Sequence, residues 1–214
     1  IYCFKASALE RALNNDLADF GKEIIPMMIK DRNAGPYIYS GFWEDIGTIR
    51  NFYETNLNLA AIDPEFNFYL ENHPIYTRKR DLPASKFNSC SLSGTIVADG
   101  CIITNSTVRD SVVGIRTIIE EGSELEGVIC MGADHYETSA QRAANRDHDV
   151  PNLGIGAGTK VRRAIIDKDA RIGSGCRIGV NDPFPEDGDY GDYYVRDGII
   201  IIPKNAIIPA GTVM

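Results

Sequence analysis

The sequence predicts two joined architectures. A mixed α/β segment runs to about residue 70, and a parallel β-helix of hexapeptide repeats occupies residues 92–214. Two observations carry this prediction. Apolar residues before residue 70 recur at helical spacing or in short strand-like runs, whereas from residue 92 they recur every six residues. The positions between the repeats are filled with Gly, Asn, Asp and Ser, as in VADGCI, IGAGTKV, IGSGCRI and IPAGTV.

In the first segment, residues 1–4 (IYCF) read as a short buried strand. Residues 7–17 carry apolar side chains at helical spacing, with Ser7 as N-cap. Asp19 reads as a structural cap. Residues 35–43 (GPYIYSGFW) read as strand-like. Residues 48–62 place Ile49, Phe52, Tyr53 and Leu57 on one helical face. Residues 71–91, with two prolines and the basic run TRKR, read as a linker packed between the two regions.

The repeat series are Ile96, Ile102 and Val108; Val112 and Ile118; Ile155 and Val161; Ile166, Ile172 and Ile178; and Ile201, Ile207 and Val213. In a hexapeptide helix each side of a triangular prism is a short strand and a tight turn. The branched residue is expected to point inward, and stacked coils bury one another's apolar faces. Gly and Asn supply corners with positive φ. Period six does not keep residues on one face of an α-helix, so an amphipathic helix is a poor competitor. Two polar stretches interrupt the repeat, residues 132–152 and 181–198, and are expected to leave the prism.

Net charge is -8, with 22 basic residues against 30 acidic ones. That balance argues against a general nucleic-acid or membrane-surface binder, because phosphate neutralisation needs concentrated Lys and Arg. It leaves room for a local basic pocket. The longest unbroken aliphatic run, residues 199–202, is too short to span a membrane. Five scattered cysteines with no C-x-x-C pair predict neither a disulfide framework nor a zinc site, and fit a reducing compartment. The chain opens in a strand-like run without an initiator Met, which is expected of the middle of a longer protein.

The stretch SGFWEDIGT (residues 40–48) sets Glu44 and Asp45 beside Phe42 and Trp43, just before a predicted helix. The acids could simply favour the start of that helix through its dipole, or a carboxylate could be held for a metal ion.

Together, GFWEDIGTIRNFYETNLNLA, PIYTRKRDLPASK, MGADHYET, RAIIDKDARIG and GIIIIPKNAIIPAGTV resemble the ADP-glucose pyrophosphorylase (glucose-1-phosphate adenylyltransferase) family, over nearly all 214 residues. The likeness is to the bacterial-to-plant branch that resembles the plant small subunit. It implies a Rossmann-like nucleotidyltransferase domain, here only its C-terminal part, followed by a left-handed parallel β-helix. It also implies a reaction: ATP and glucose 1-phosphate give ADP-glucose and pyrophosphate, for glycogen or starch synthesis. The family's Gly-rich nucleotide loop, first metal-binding Asp and sugar-phosphate Lys have no counterpart in this sequence. The chain alone is therefore expected to be inactive.

By the same resemblance, Asp45 is a catalytic carboxylate and one of two Mg²⁺ ligands, the other being absent from this chain. Glu44 is expected to be structural, and Trp43 to pack beneath the site and fix the loop. Arg80, Lys168 and Lys204 are expected to line an anion pocket for a phosphorylated metabolite effector, with Asp167 beside it. Lys offers a point charge and Arg a planar fork, so a mixed set suits a phosphate group. Plain surface solvation is the competing reading for lone lysines. The implied assembly is a homo- or hetero-tetramer, cytoplasmic, or plastidial in a plant or alga, with no nucleic-acid or membrane partner. Other hexapeptide proteins are acyltransferases with a catalytic His, or carbonic anhydrases. His73, His135 and His148 sit at no spacing that would converge on a metal. A further alternative is an oligomerisation scaffold.

Overall fold

The computed structural model describes residues 1–31 and 34–214. They divide into two compact units, residues 1–41 and 42–214.

The first unit is helical. Helix α1 (Ala6–Leu13) is followed by a π-helical turn, Phe20–Ile24, and by α2 (Ile25–Lys30). Ala12, Ile24 and Met28 form its core. Asp19 caps the π-helical turn by accepting a hydrogen bond from the Lys22 N–H at 2.7 Å. Residues 1–4 are not a strand: Tyr2 and Phe4 form an aromatic group with Phe20, and Ile1 and Cys3 are exposed. Residues 35–43 are irregular, with Tyr37 and Ile38 almost fully exposed. The reason is common to both. An apolar run becomes a strand only where a neighbour satisfies its backbone groups, and this unit has no strand among its described residues. Helix α1 begins after Lys5, not Ser7, and its N-cap makes no side-chain hydrogen bond.

The second unit is the β-helix with one helix laid on it. Coils stack in parallel register: Ile102 pairs with Ile118, Ser91 with Thr107 and Lys160 with Arg177. One prism face is a six-stranded sheet running from Lys86–Asn88 to Ile207–Ile208. The other two faces are joined, because strands Glu124–Cys130 and Lys160–Ile166 run through a corner, bending at Gly127 and Arg163 with positive φ. The core is aliphatic, with Ile103, Ile119, Ile172, Ile178, Ile202 and Ile208 fully or almost fully buried.

Six of the thirteen residues in the repeat series point inward as expected: Val108, Ile155, Val161, Ile166, Ile172 and Ile178. At the other seven positions the inward residue is the next one along: Val97, Ile103, Val113, Ile119, Ile202, Ile208 and Met214. Ile102, Ile207 and Val213 are exposed instead. The cause is the doubled aliphatics of IV, II and VV. Neighbouring residues of a strand face opposite ways, so the period alone cannot choose between them.

One outward column is covered. Helix α3 (Ile49–Asn58) lays Tyr53 over Ile129, Ile165 and Ile199, with Ile49, Phe52 and Leu57 alongside. This is the predicted apolar face, and Ile201 is part of what it covers. The Tyr53 hydroxyl donates to the Gly127 carbonyl at 2.6 Å, at a bend of the strand.

Both interruptions leave the prism. Residues 132–152 hold helix α4 (Ser139–Asp147), started by a capping box between Thr138 and Gln141. Residues 181–198 contribute Gly188–Asp189 and Tyr194–Arg196, which add antiparallel to strand Ile199–Ile202 and cover its edge. In the region read as a linker, residues 71–81 are exposed, while Pro83 and Ser85 hydrogen-bond to the first coil at Gly100 and Ala98.

Candidate functional site

The loop before α3 is shaped by its own hydrogen bonds. Asp45 Oδ1 accepts from the Gly47 N–H at 2.9 Å, Thr48 Oγ1 caps the helix by accepting from the Asn51 N–H at 3.2 Å, and Asn51 Nδ2 donates to the Asp45 carbonyl at 2.9 Å. Thr48, not Glu44 or Asp45, is the N-cap. The Asp45 carboxylate is exposed, and Oδ2 makes no hydrogen bond among the described residues. Trp43 is 62% exposed, and the hydrogen bonds that shape the loop among the described residues are those of Asp45, Gly47, Thr48 and Asn51.

The second cluster lies along one corner of the prism. Strands Lys160–Ile166 and Ile199–Ile202 pair Ile166 with Ile202. Lys168 and Lys204 each follow two residues later, at the corner where Asp169 and Asn205 take positive φ. Asn and Asp tolerate that conformation better than most residues. The Asn205 N–H bonds the Lys168 carbonyl at 3.0 Å, so the two lysines are stacked on successive coils.

Asp134, which the sequence reading did not single out, sits between them. Lys168 Nζ is 2.9 Å from Oδ1 and Lys204 Nζ is 3.0 Å from Oδ2. Hydrogen bonds from Lys168 and Lys204 hold the Asp134 carboxyl far below the usual carboxylate range. The Asp134 hydrogen bond in turn raises Lys204 above the ordinary lysine value. Asp169, largely buried, accepts the Asp134 N–H at 2.8 Å and lies 3.8 Å from Lys204 Nζ.

The rest of the GADHYET stretch fastens this arrangement. Gly132 has φ 89, and a Cβ there would stand 2.2 Å from the Ile115 carbonyl oxygen. The Tyr136 hydroxyl donates to the Gly100 carbonyl at 2.7 Å, while Arg116 lies over its ring. The Glu137 side chain is 1% exposed. It accepts from Arg171 at 2.6 Å, from Asn145 Nδ2 at 2.7 Å and from the Leu153 N–H at 2.9 Å. Burial alone would raise its carboxyl, but these three donors outweigh burial and hold it below the ordinary value. One buried carboxylate thereby ties the start, the helix and the return of the excursion to the coil.

Two other expected pocket residues stand differently. Asp167 is half-buried, and its Oδ1 accepts the N–H of Lys168. Arg80 is exposed, and its guanidinium donates to the carbonyl of Arg78, two residues back, rather than to the lysine cluster. His135 Nδ1 approaches Asp169 at 4.0 Å, and His148 Nδ1 bonds the Ala144 carbonyl within its own excursion. Among the described residues, no three His, Cys, Asp or Glu gather to hold a metal ion, and no helix is long and apolar enough to cross a membrane.

Parallel coils and a capped excursion define a class: a parallel β-helix preceded by a helical segment. Sequence comparison assigns both parts. Residues 1–62 match the nucleotidyl transferase family. Residues 80–213, more than half of the chain, match the GLGC left-handed parallel beta-helix domain. The chain belongs to this GLGC β-helix family, and the two matches in tandem are consistent with an ADP-glucose pyrophosphorylase-like protein.

Proposed function

We propose that the chain is the C-terminal portion of a glucose-1-phosphate adenylyltransferase. The whole enzyme would make ADP-glucose and pyrophosphate from ATP and glucose 1-phosphate, for glycogen or starch synthesis. The observation that carries this reading is the tandem match of a nucleotidyl transferase segment and the GLGC β-helix domain in one chain. The nucleotidyl transferase match also weighs against the acyltransferase and scaffold alternatives.

In this reading Asp45 supplies one carboxylate to Mg²⁺. The residues present fit that part: Mg²⁺ takes one or two carboxylates and leaves its other positions to phosphate oxygens and water, and Asp45 keeps Oδ2 clear of hydrogen bonds among the described residues. When bound, the ion would offset charge building on the phosphoryl oxygens. The chain's own contribution is to hold the carboxylate on a loop fixed by Gly47 and Asn51. The partner carboxylate, the nucleotide loop and the sugar-phosphate Lys would come from elsewhere, so this polypeptide alone is inactive. Lys168 and Lys204, with Arg80 and Asp167, belong to an effector site for a phosphorylated metabolite. The assembly is a homo- or hetero-tetramer in the cytoplasm, or in the plastid of a plant or alga.

Two measurements test this. The 214-residue chain, given ATP, glucose 1-phosphate and Mg²⁺, should release no pyrophosphate; clear turnover would overturn the reading of it as a portion. In the intact enzyme, Lys204→Ala should weaken activation by a phosphorylated sugar, and unchanged activation would remove the effector site.

A further inference from the structure

The two lysines already hold an anion, and it is part of the chain. A carboxylate with one oxygen on each ammonium presents what a phosphate would present: two negatively charged oxygens at hydrogen-bond distance from two stacked cations. The corner also has the wrong charge for a visitor. Lys168 and Lys204 bring two positive charges. Asp134, Asp169 and Asp167 bring three negative ones within the same turn of the prism. With Asp134 in place, an arriving anion meets no unpaired ammonium here and a net excess of carboxylate.

We propose that Asp134 is a tethered competitor, whose carboxylate occupies the lysine pair and must leave before a phosphorylated ligand binds there. This rests on the reading of Lys168 and Lys204 as an anion site. It adds a residue and a regulatory step: affinity is set by how firmly the Asp134 side chain stays on the lysines.

The construction suits the role. The Asp134 side chain is about half exposed while its backbone N–H is held by the largely buried Asp169 carboxylate at 2.8 Å. The side chain can turn away without the backbone moving. The contacts it gives up are solvent-exposed ion pairs, which are individually weak and screened by salt. A dianion bonding both ammoniums can replace them. Tyr136 and Glu137 fasten the following residues to other coils, so the release is confined to one side chain.

The test uses inorganic phosphate and the 214-residue chain, with binding read by calorimetry at low salt. Asp134→Asn should bind phosphate about fivefold more tightly than the wild type, the effect of removing two competing exposed ion pairs. That gain should vanish in Asp134→Asn/Lys204→Ala. Equal affinities in wild type and Asp134→Asn, both lost in Lys204→Ala, would keep the anion site and overturn the competitor. Absence of any Lys204-dependent phosphate binding would overturn the anion site and the competitor with it. A second readout leaves the wild-type sequence intact. At pH 8, where phosphate is mainly the dianion, the Asp134 carboxyl carbon resonance, followed by NMR, should shift on adding phosphate; an unchanged resonance at saturating phosphate overturns the proposal.

Discussion

Replacing Glu137 should loosen the excursion that carries Asp134, and the structure allows the size to be worked out. The carboxylate is 1% exposed and serves three donors: Arg171, Asn145 and the Leu153 N–H. In Glu137→Ala the Leu153 N–H loses its acceptor and Asn145 Nδ2 keeps only Asn152 Oδ1, at about 1–3 kcal/mol for each donor left buried and unpaired. Arg171 loses its counter-charge, but its side chain is 21% exposed and keeps the Pro151 carbonyl at 2.8 Å, so water and that bond offset part of the loss. The expected cost is about 3–4 kcal/mol, at the lower end for breaking a buried ion pair. In a chain of this size that lowers the melting temperature by roughly 6–15 °C. Glu137→Gln keeps one acceptor oxygen but turns the other, now serving either Leu153 or the Arg171 and Asn145 donors, into a donor itself, so it should cost less than Glu137→Ala but more than loss of the charge alone. The pH dependence has a definite sign. The folded pKa lies below the ordinary 4.5. The stabilisation is therefore present above that value and fades as pH falls through the lowered folded one, so wild type and Glu137→Gln should converge in acid. Urea unfolding followed by circular dichroism measures all of this. A cost below about 1 kcal/mol for Glu137→Ala would show that water replaces the carboxylate and that the excursion is held by its other contacts.

Three further outcomes are expected. Tyr53→Phe should cost about 1 kcal/mol in urea unfolding through loss of the bond to Gly127, and Tyr53→Ala about 3–5 kcal/mol because it uncovers Ile129, Ile165 and Ile199. Gly132→Ala should destabilise by at least about 2 kcal/mol, since φ 89 and the 2.2 Å approach to Ile115 both exclude a Cβ; a neutral variant would mean that the excursion can leave the coil by another path. The Asp134–lysine contact should be insensitive to pH across the neutral range. The Asp134 pKa is lowered, so its contribution is lost only as pH falls below the carboxylate range; the Lys204 pKa is raised, so its contribution is lost only above the ordinary 10.5. An Asp134 carboxyl resonance that moves between pH 5 and 9 in a titration without added anion would contradict this.

The β-helix was legible because its period is long-range and redundant: successive coils repeat one pattern, and corners need Gly, Asn or Asp. What the period could not set was the inward residue of a doubled aliphatic. Ile201 and Ile202 are both buried or half-buried, one under α3 and one in the prism. The face of α3 was legible from spacing, since Ile49, Phe52, Tyr53 and Leu57 are close in sequence. The strands expected at residues 1–4 and 35–43 failed because pairing is not a property of the run itself. Lys168 and Lys204 stand out in the sequence, whereas Asp134, within GADHYET, does not. No spacing links it to the lysines; only the stacking of coils does. A register argument would have been needed, with the excursion leaving just where the corner row passes.

The Asp45 loop bears on how that enzyme would be built. A carboxylate destined for a metal is commonly positioned by neighbours across the site, and such a loop would collapse when they are missing. Here, among the described residues, the side-chain bonds that shape the loop lie within residues 45–51: Oδ1 to the Gly47 N–H, the Asp45 carbonyl to Asn51 and Thr48 to the Asn51 N–H. Gly47 is suited to this turn, because a Cβ would come to 3.0 Å from Asp45 Oδ1. The helix that follows is in turn fixed on the β-helix by Tyr53. The geometry of Asp45 is thus set from the C-terminal side, by the β-helix through α3. On the proposed reading of Asp45 as a Mg²⁺ ligand, perturbing Tyr53 should therefore disturb that carboxylate without touching any substrate, through the few residues that separate them.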